Sequence, residues 1–424
     1  MQKRILCLLL SVVTALTLAT ACSKSTNSGS SNKPVTIHIF MGSPEITAAV
    51  NTSIKEYKKV KPNVTIQLQV LQADLNMVLK SMIAADEIPD AFQTTNGPEL
   101  KEYASYSEDL TNTPAGKSLL PTIAKSMSYN GKVVGLPLKI DEFGIIYNKT
   151  IFADAGITEL PKTLSALEAD CKVLQAKGYT PFGNGYKEWW VYKHELQSFE
   201  AASNTNVGDL VGQFIAGTTT FQDHPVMMNY FKFIDVTVQY GLPKPLEIDY
   251  NGEISAMGGG KVAMITGQGT WAEANILAID PKIQISIMPY PVSEDPTQLN
   301  MVAGAGQCLE ISKSSKVLTE TEDYYNWLFT SDYGINTWFP KVAQLIAPTK
   351  TSVSPSGVTL PTQFTALCND QKIPIDDSAI NYSDDGFHTK LGEIMQGYIG
   401  KSESETNCIT DIQKAWVSLG APKD

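Results

Sequence analysis

Gly131-Lys-Val-Val-Gly-Leu-Pro-Leu-Lys-Ile-Asp141-Glu-Phe-Gly-Ile-Ile-Tyr-Asn-Lys149-Thr-Ile-Phe-Ala-Asp-Ala-Gly-Ile-Thr-Glu-Leu-Pro-Lys-Thr163 decides the architecture of the chain. An apolar strand ends at Pro137, and a short acidic loop carrying Asp141 and Glu142 follows. A second β-rich run, Phe143 to Tyr147, leads through a brief turn into a helix. Thr163 is a good N-cap for that helix, Leu164, Leu167, Cys171 and Leu174 form one apolar face, and Gly178 stops it. A buried strand that leaves one sheet through a polar loop and enters a second unit is what a hinge between two lobes requires.

On the N-terminal side, Val35 to Phe40 alternates as a strand, Ser43 offers an N-cap, and Pro44 suits the first helical position. Ile46, Val50, Ile54 and Tyr57 mark the buried face of the helix that follows, which Pro62-Asn63 ends. Val64, Ile66, Leu68 and Val70 give a second strand, and Leu75, Val78, Leu79, Met82 and Ile83 the inner face of a second helix. Asp90-Ala91-Phe92 then runs into the polar loop Thr94 to Gly97. This β-α-β-α-β order predicts a mostly parallel α/β sheet, with ligands beyond the carboxyl ends of its strands. Glu45, after Phe40, and Asn96, after Phe92, are therefore candidate site residues.

On the C-terminal side the chain becomes helix-rich and carries Trp189-Trp190, of which one is expected to pack and the other, Trp189, to be exposed. Met257 to Trp271 reads as a helix end, a glycine turn, a buried strand over 261–266 and a Gly-flanked loop bearing Trp271. That loop is the expected setting for a side chain displayed in a cleft, a core tryptophan being the alternative. A strand over 283–288 and a polar return crossing over 293–300 follow, and a strand over 308–311 re-enters the first lobe. Trp338 lies near a third crossing and suits a structural or a binding role equally.

The ends and the composition bound the class. Lys3 and Arg4 precede an apolar run, Ile5 to Leu18, of 14 residues. A spanning helix needs about 20, so this run reads as a signal peptide over 1–21. Ala19-Thr20-Ala21-Cys22 resembles a bacterial lipoprotein signal site, with Leu18 one place further from the cysteine than is usual. That resemblance implies lipidation of Cys22 and an anchor on the extracytoplasmic face of the cell membrane. Residues 22–34 then form a Ser/Asn-rich tether of roughly 20 Å reach. The body of about 390 residues exceeds what one core normally serves. Net charge is −11, and loss of Lys3 and Arg4 with the leader brings it to −13, which argues against nucleic acid as a partner. Cys171, Cys308, Cys368 and Cys408 remain, too widely spaced to choose between disulfides and free buried thiols, and no CxxC pair points to zinc.

Catalytic and metal patterns fail on inspection. Gly258-Gly259-Gly260-Lys261 lacks the Ser or Thr of a phosphate loop, since Val262 follows the lysine. His194-Glu195 opens a metalloprotease pattern, but Ser198 stands where the second histidine belongs. Asn381 to Gly386 suggests a calcium loop whose twelfth position, Gly392, cannot supply the required carboxylate. Asp141-Glu142, Asp376-Asp377 and Asp384-Asp385 are adjacent pairs, and neighbours on extended chain point to opposite sides. A glycoside hydrolase would need two distant carboxylates meeting across a cleft. No cofactor or metal is expected.

Several of these residues also closely resemble family 1 extracellular solute-binding proteins, the maltose-binding-protein-like sugar-binding components of ABC importers. The marks are Tyr147-Asn148-Lys149 after a Leu-Pro strand, Pro161-Lys162-Thr163, and the Gly260-Lys261 to Trp271 block. The resemblance spans about Val35 to Pro348. It implies an α/β, two-lobed periplasmic-binding-protein-like fold of class II type, each lobe a mostly parallel sheet flanked by helices and joined by a hinge. The lobes are expected at 35–143 with 300–335 and at 144–299 with 336–424. It further implies a monomeric, non-enzymatic receptor that hands a carbohydrate, an oligosaccharide above all, to the transmembrane subunits of an ABC permease. In the family, Trp271 matches a sugar-stacking tryptophan and Asp141 a hinge position that often meets ligand. The alternatives are an exported glycosidase, or the same fold binding a non-sugar polar solute.

Overall fold

The computed structural model describes residues 33–420, apart from 72–73, 204–205, 378, 381–382, 384 and the side chain of Asp385. The leader, Cys22 and most of the tether lie outside these residues. The first sheet has the order Val64–Val70, Val35–Met41, Ala91–Thr95, Gln307–Ile311, Gly135–Leu136. The first three strands are parallel, with Val35 opposite Val64 and Phe40 opposite Phe92. The last two run antiparallel, with Cys308 opposite Thr94 and Leu309 opposite Leu136. The helix Thr47–Val60 buries Val50 and Tyr57 as its periodicity predicts. Ser43 does not cap it, because a 3-10 turn, Pro44–Ile46, intervenes and leaves the hydroxyl free to turn elsewhere.

The second sheet has the order Ile285–Met288, Ile145–Asn148, Val262–Ile265, Thr180–Phe182. Only the last pairing is parallel, so the mostly parallel sheet expected of this lobe is not what forms: Ile145–Asn148 enters from the crossing and runs antiparallel to both neighbours. Two of the sequence marks that suggested the fold are helix caps. Asn148 Oδ1 accepts from the backbone N–H groups of Thr150 and Ile151, starting a short helix, Lys149–Ala155, where a turn was expected. Thr163 Oγ1 accepts from Ala166 N at 3.1 Å and opens the helix Leu164–Ala176, with the four expected apolar residues buried.

Between the sheets lies a three-stranded ladder. Asp141–Phe143, whose Asp141 and Glu142 were expected in a loop, is a strand paired antiparallel with Met301–Gly304, which pairs in parallel with Ile375–Asp376. The crossing is buried, and its backbone donors and acceptors find partners in the returning chain rather than in water.

One hydrophobic core joins residues from Ile37 to Leu138 with residues from Ala305 to Ala347. A small second core, Phe40, Leu79, Phe92 and Tyr103, lies beside it, and two more draw on the chain between Phe143 and Val302 and on its C-terminal helices. The first of these cores extends past residue 335, to Ala347. Trp338 and Phe339 lie on a π-helical segment, Gly334–Ala343, and pack with Tyr324, Tyr325 and Phe329 in the first core. All four described cysteines, Cys171, Cys308, Cys368 and Cys408, are buried free thiols.

Candidate functional site

A cavity of about 1030 Å³ opens between the two sets of cores. The first lobe contributes Gly42 to Glu45, beyond the carboxyl end of Val35–Met41, with Gln93 and Thr95 from the neighbouring strand and residues of the helix Leu75–Ala84. Ser43 Oγ, released from capping, lies 3.0 Å from Gln93 Oε1 and 2.9 Å from Gln307 Oε1. Glu45 reaches the cavity as strand-end logic predicts. Asn96 does not: it is buried, and its Nδ2 donates to Ala305 O at 3.0 Å, tying the strand end to the returning chain. Strand alternation turns Gln93 and Thr95 inward to the cavity instead.

The floor is an ion triad. Lys139 Nζ lies 2.8 Å from Asp141 Oδ1 and 3.4 Å from Glu45 Oε1, all three side chains being largely buried. Burial alone would pull the lysine below its ordinary range, but the two carboxylates outweigh it and hold the ammonium above that range. Glu142 turns to the opposite side of the strand and does not line the cavity, and burial pushes its carboxyl up to about 8. The neighbouring acids thus point apart as expected of extended chain.

Trp271 stands above this triad on a 3-10 turn, Thr270–Ala272. It is half-buried, with Lys139 Nζ 4.7 Å from its ring centroid and the edge of Phe143 at 5.0 Å. A Cβ at Gly269 would collide with the Trp271 ring and the Glu142 carbonyl, so the glycine is what lets the ring lie against the crossing strand. Four side chains pin the loop that carries it. Gln268 Nε2 donates to Glu253 Oε2 at 2.7 Å, and Tyr290 OH accepts from Gly267 N at 2.9 Å. Thr266 Oγ1 donates to Glu195 Oε1, and His194 Nδ1 meets Gly267 O at 2.9 Å. Burial pushes the Glu195 carboxyl up to about 8 and Glu253 well above its usual range, so at neutral pH both hold the loop as uncharged acids. Burial, with the charges of Lys193 and Lys139, pulls His194 down to about 3, so its ring is neutral and Nδ1 carries the proton donated to Gly267 O.

Trp189 and Trp190 both line the cavity, where one was expected to pack away. Trp189 backs onto Gly392, whose missing side chain admits it. Trp190 stands 5.3 Å from His194 and 6.2 Å from Tyr250. Trp338 is the clear exclusion: it has no exposed surface, and its indole N–H donates to Ala49 O at 2.8 Å inside the first core. Its neighbours in the π-helical segment follow directly from a first-lobe helix, so it never approaches the cleft. Asp141, Glu45, Trp271 and Trp189 are thus brought together, and Asn96 and Trp338 are not.

Sequence reasoning missed Lys139, Trp190, His194 and Tyr250. A lysine between Leu138 and Ile140 on a buried crossing was the one local signal available. Ser198 is buried on the helix Trp189–Ser203, and among the described residues no three His, Cys, Asp or Glu side chains are grouped so that they could hold an ion. Residues 381, 382 and 384 of the calcium-like stretch lie outside the described residues.

The family profile of bacterial extracellular solute-binding proteins matches residues 52–366. The "Multiple sugar-binding protein" of Streptococcus mutans is 26% identical over 322 residues, 74% of this chain and 76% of its own. The "Melibiose/raffinose/stachyose-binding protein MelE" of Bacillus subtilis is 21% identical over 341 residues, 76% of each chain. Among solved structures, "SBP RafE in complex with raffinose" superposes with a TM-score of 0.77 at 20% identity, over 91% of this chain and 100% of that one. A "Chitin oligosaccharide binding protein" does so with a TM-score of 0.76 at 19% identity, over 91% and 99%. These structures place the fold as that of two-lobed solute-binding proteins.

Proposed function

Because the chain belongs to the bacterial extracellular solute-binding protein family, we propose that it captures an oligosaccharide between its lobes and passes it to an ABC permease. The observation that carries this reading is the cavity itself. Its volume, about 1030 Å³, lies at the top of the roughly 300–1,000 Å³ range of single-ligand sites, more than one sugar ring needs. Trp271, Trp190, Trp189 and Tyr250 offer flat apolar surface for the C–H face of a pyranose. Glu45, Asp141, Gln93 and Gln307 offer acceptors and donors for its hydroxyls. The names of the sugar-binding relatives support the same ligand class.

Ligand touching residues of both lobes favours the closed arrangement, with the ladder Asp141–Phe143 and Met301–Gly304 as hinge. The test is a thermal-shift screen of the mature body against raffinose, stachyose, diacetylchitobiose and non-sugar polar solutes. A true ligand at 100 times its Kd adds about 2.7 kcal/mol of stability, is recovered intact, and lowers the radius of gyration in solution scattering. Stabilisation by an amino acid or polyamine, but by no sugar, would transfer the reading to another solute class. A recovered sugar found cleaved would transfer it to a glycosidase.

We further propose that Cys22 carries a lipid that holds a monomeric body on the extracytoplasmic face of the membrane. The basic, apolar, Ala-Thr-Ala-Cys order of the leader supports it, and no helix among the described residues is long and apolar enough to cross a membrane. Full-length protein expressed in a bacterial host is expected in the detergent phase, and Cys22→Ser in the aqueous phase or unprocessed. Identical partitioning of the two would sink the anchor.

A further inference from the structure

Arg4, in the leader, is the only arginine of the 424-residue chain. The body therefore contains no guanidinium, the side chain whose planar fork best pairs with carboxylate, phosphate or sulfate. Any anionic group on a ligand would have to be met by lysine. Four lysines line the cavity, and three already have a carboxylate within ion-pair distance. Lys80 pairs with Glu102 at 3.1 Å and Lys390 with Glu393 at 2.8 Å. Lys193 is near the buried Glu200, an acid that burial pushes up to about 8. Lys139, the deepest, is shared by Glu45 and Asp141 and faces the Trp271 ring. Asp74 and Glu99 add two more carboxylates to the wall.

We infer that the cavity selects uncharged saccharides over acidic ones, and that the doubly paired Lys139 is the residue that sets this selectivity. The inference rests on the carbohydrate reading and deepens it. A hydroxyl is donor and acceptor at once. It can bridge the ammonium and a carboxylate of the triad without changing the charge of the floor, which the two acids and one lysine leave at about −1 when ionised. A uronate on this floor must instead either sit unpaired beside a net negative, largely buried triad or pull Lys139 from one of its partners. The first strands a buried charge on the ligand, and the second strands one on the protein. Both disfavour the acid without touching the neutral sugar, which is selection by repulsion rather than by an added contact.

The probes are raffinose, stachyose and diacetylchitobiose, each with its C6-oxidised acid and the methyl ester of that acid, titrated calorimetrically against the mature body. Parent and ester are expected to bind alike, and the acid at least tenfold more weakly, about 1.4 kcal/mol. Glu45→Gln removes one negative charge from the floor while keeping its shape, and is expected to narrow the gap between acid and ester. Melting curves of the variant confirm that it is folded. Acid bound as tightly as ester, or a gap unchanged in Glu45→Gln, would overturn the inference while leaving a sugar receptor. Silence from parent, ester and acid alike would overturn the carbohydrate reading and the selectivity with it.

Discussion

Trp338→Ala is expected to lower the free energy of unfolding by about 3–5 kcal/mol, the cost of truncating a core aromatic. The ring has no exposed surface and meets Phe339 edge-on at 4.7 Å. Its N–H donates to Ala49 O in the first turn of the helix Thr47–Val60, so removing the indole opens a void and deletes a buried hydrogen bond. Trp338→Phe fills most of the void but lacks the indole hydrogen bond, and falls between wild type and alanine. Urea melts read the stability. The affinity for whichever sugar the screen finds should change by no more than about twofold, since Trp338 touches neither the cavity nor the triad. A large affinity loss without a stability loss would put Trp338 back in the cleft and displace the first-lobe core assignment.

The same residue shows where sequence reading reaches its limit. Trp338 stands within a few residues of a crossing, and nothing local says which way a π-helical segment with Pro340 inside it will turn its indole. The first sheet was legible because its order is carried by local periodicities of two and 3.6, and because strand ends point to ligand. Glu45 came from that rule. Asn96 failed by one residue: the rule finds the end of Ala91–Thr95 but not which alternate side chains face the cavity. The Asp141–Phe143 strand was invisible because its partner, Met301–Gly304, is supplied from far along the chain. The Lys149–Ala155 helix was missed because seven residues are too few to show a period, although its cap, Asn148, was in plain view. Lys139, His194 and Tyr250 converge only in the folded state, and the neutral acids behind the Trp271 loop owe their chemistry to burial.

Trp271→Ala is expected to weaken binding by roughly 2 kcal/mol or more, about thirtyfold, on the scale of an interface hot spot. Its unfolding cost should be smaller than that of Trp338→Ala, about 1–3 kcal/mol, because the ring is half-buried rather than enclosed. Some cost remains, since the ring packs against residues of three cores and lies over Gly269 at the crossing strand. The reversal of rank between the two tryptophans is the informative result: one variant loses stability and keeps affinity, and the other loses affinity at a smaller cost in stability. Trp271→Phe, which retains an aromatic face, should recover part of the affinity, whereas a purely structural tryptophan would recover only stability. The contact with Lys139 sharpens the comparison. The ammonium sits 4.7 Å from the indole centroid, so alanine also removes a cation–π partner of the triad. In Trp271→Ala the ion pairs with Glu45 and Asp141 remain, and the preference for ester over acid should survive the loss of affinity. If affinity is unchanged and stability falls as far as in Trp338→Ala, Trp271 is a core residue, and the stacking platform must be sought at Trp189 and Trp190.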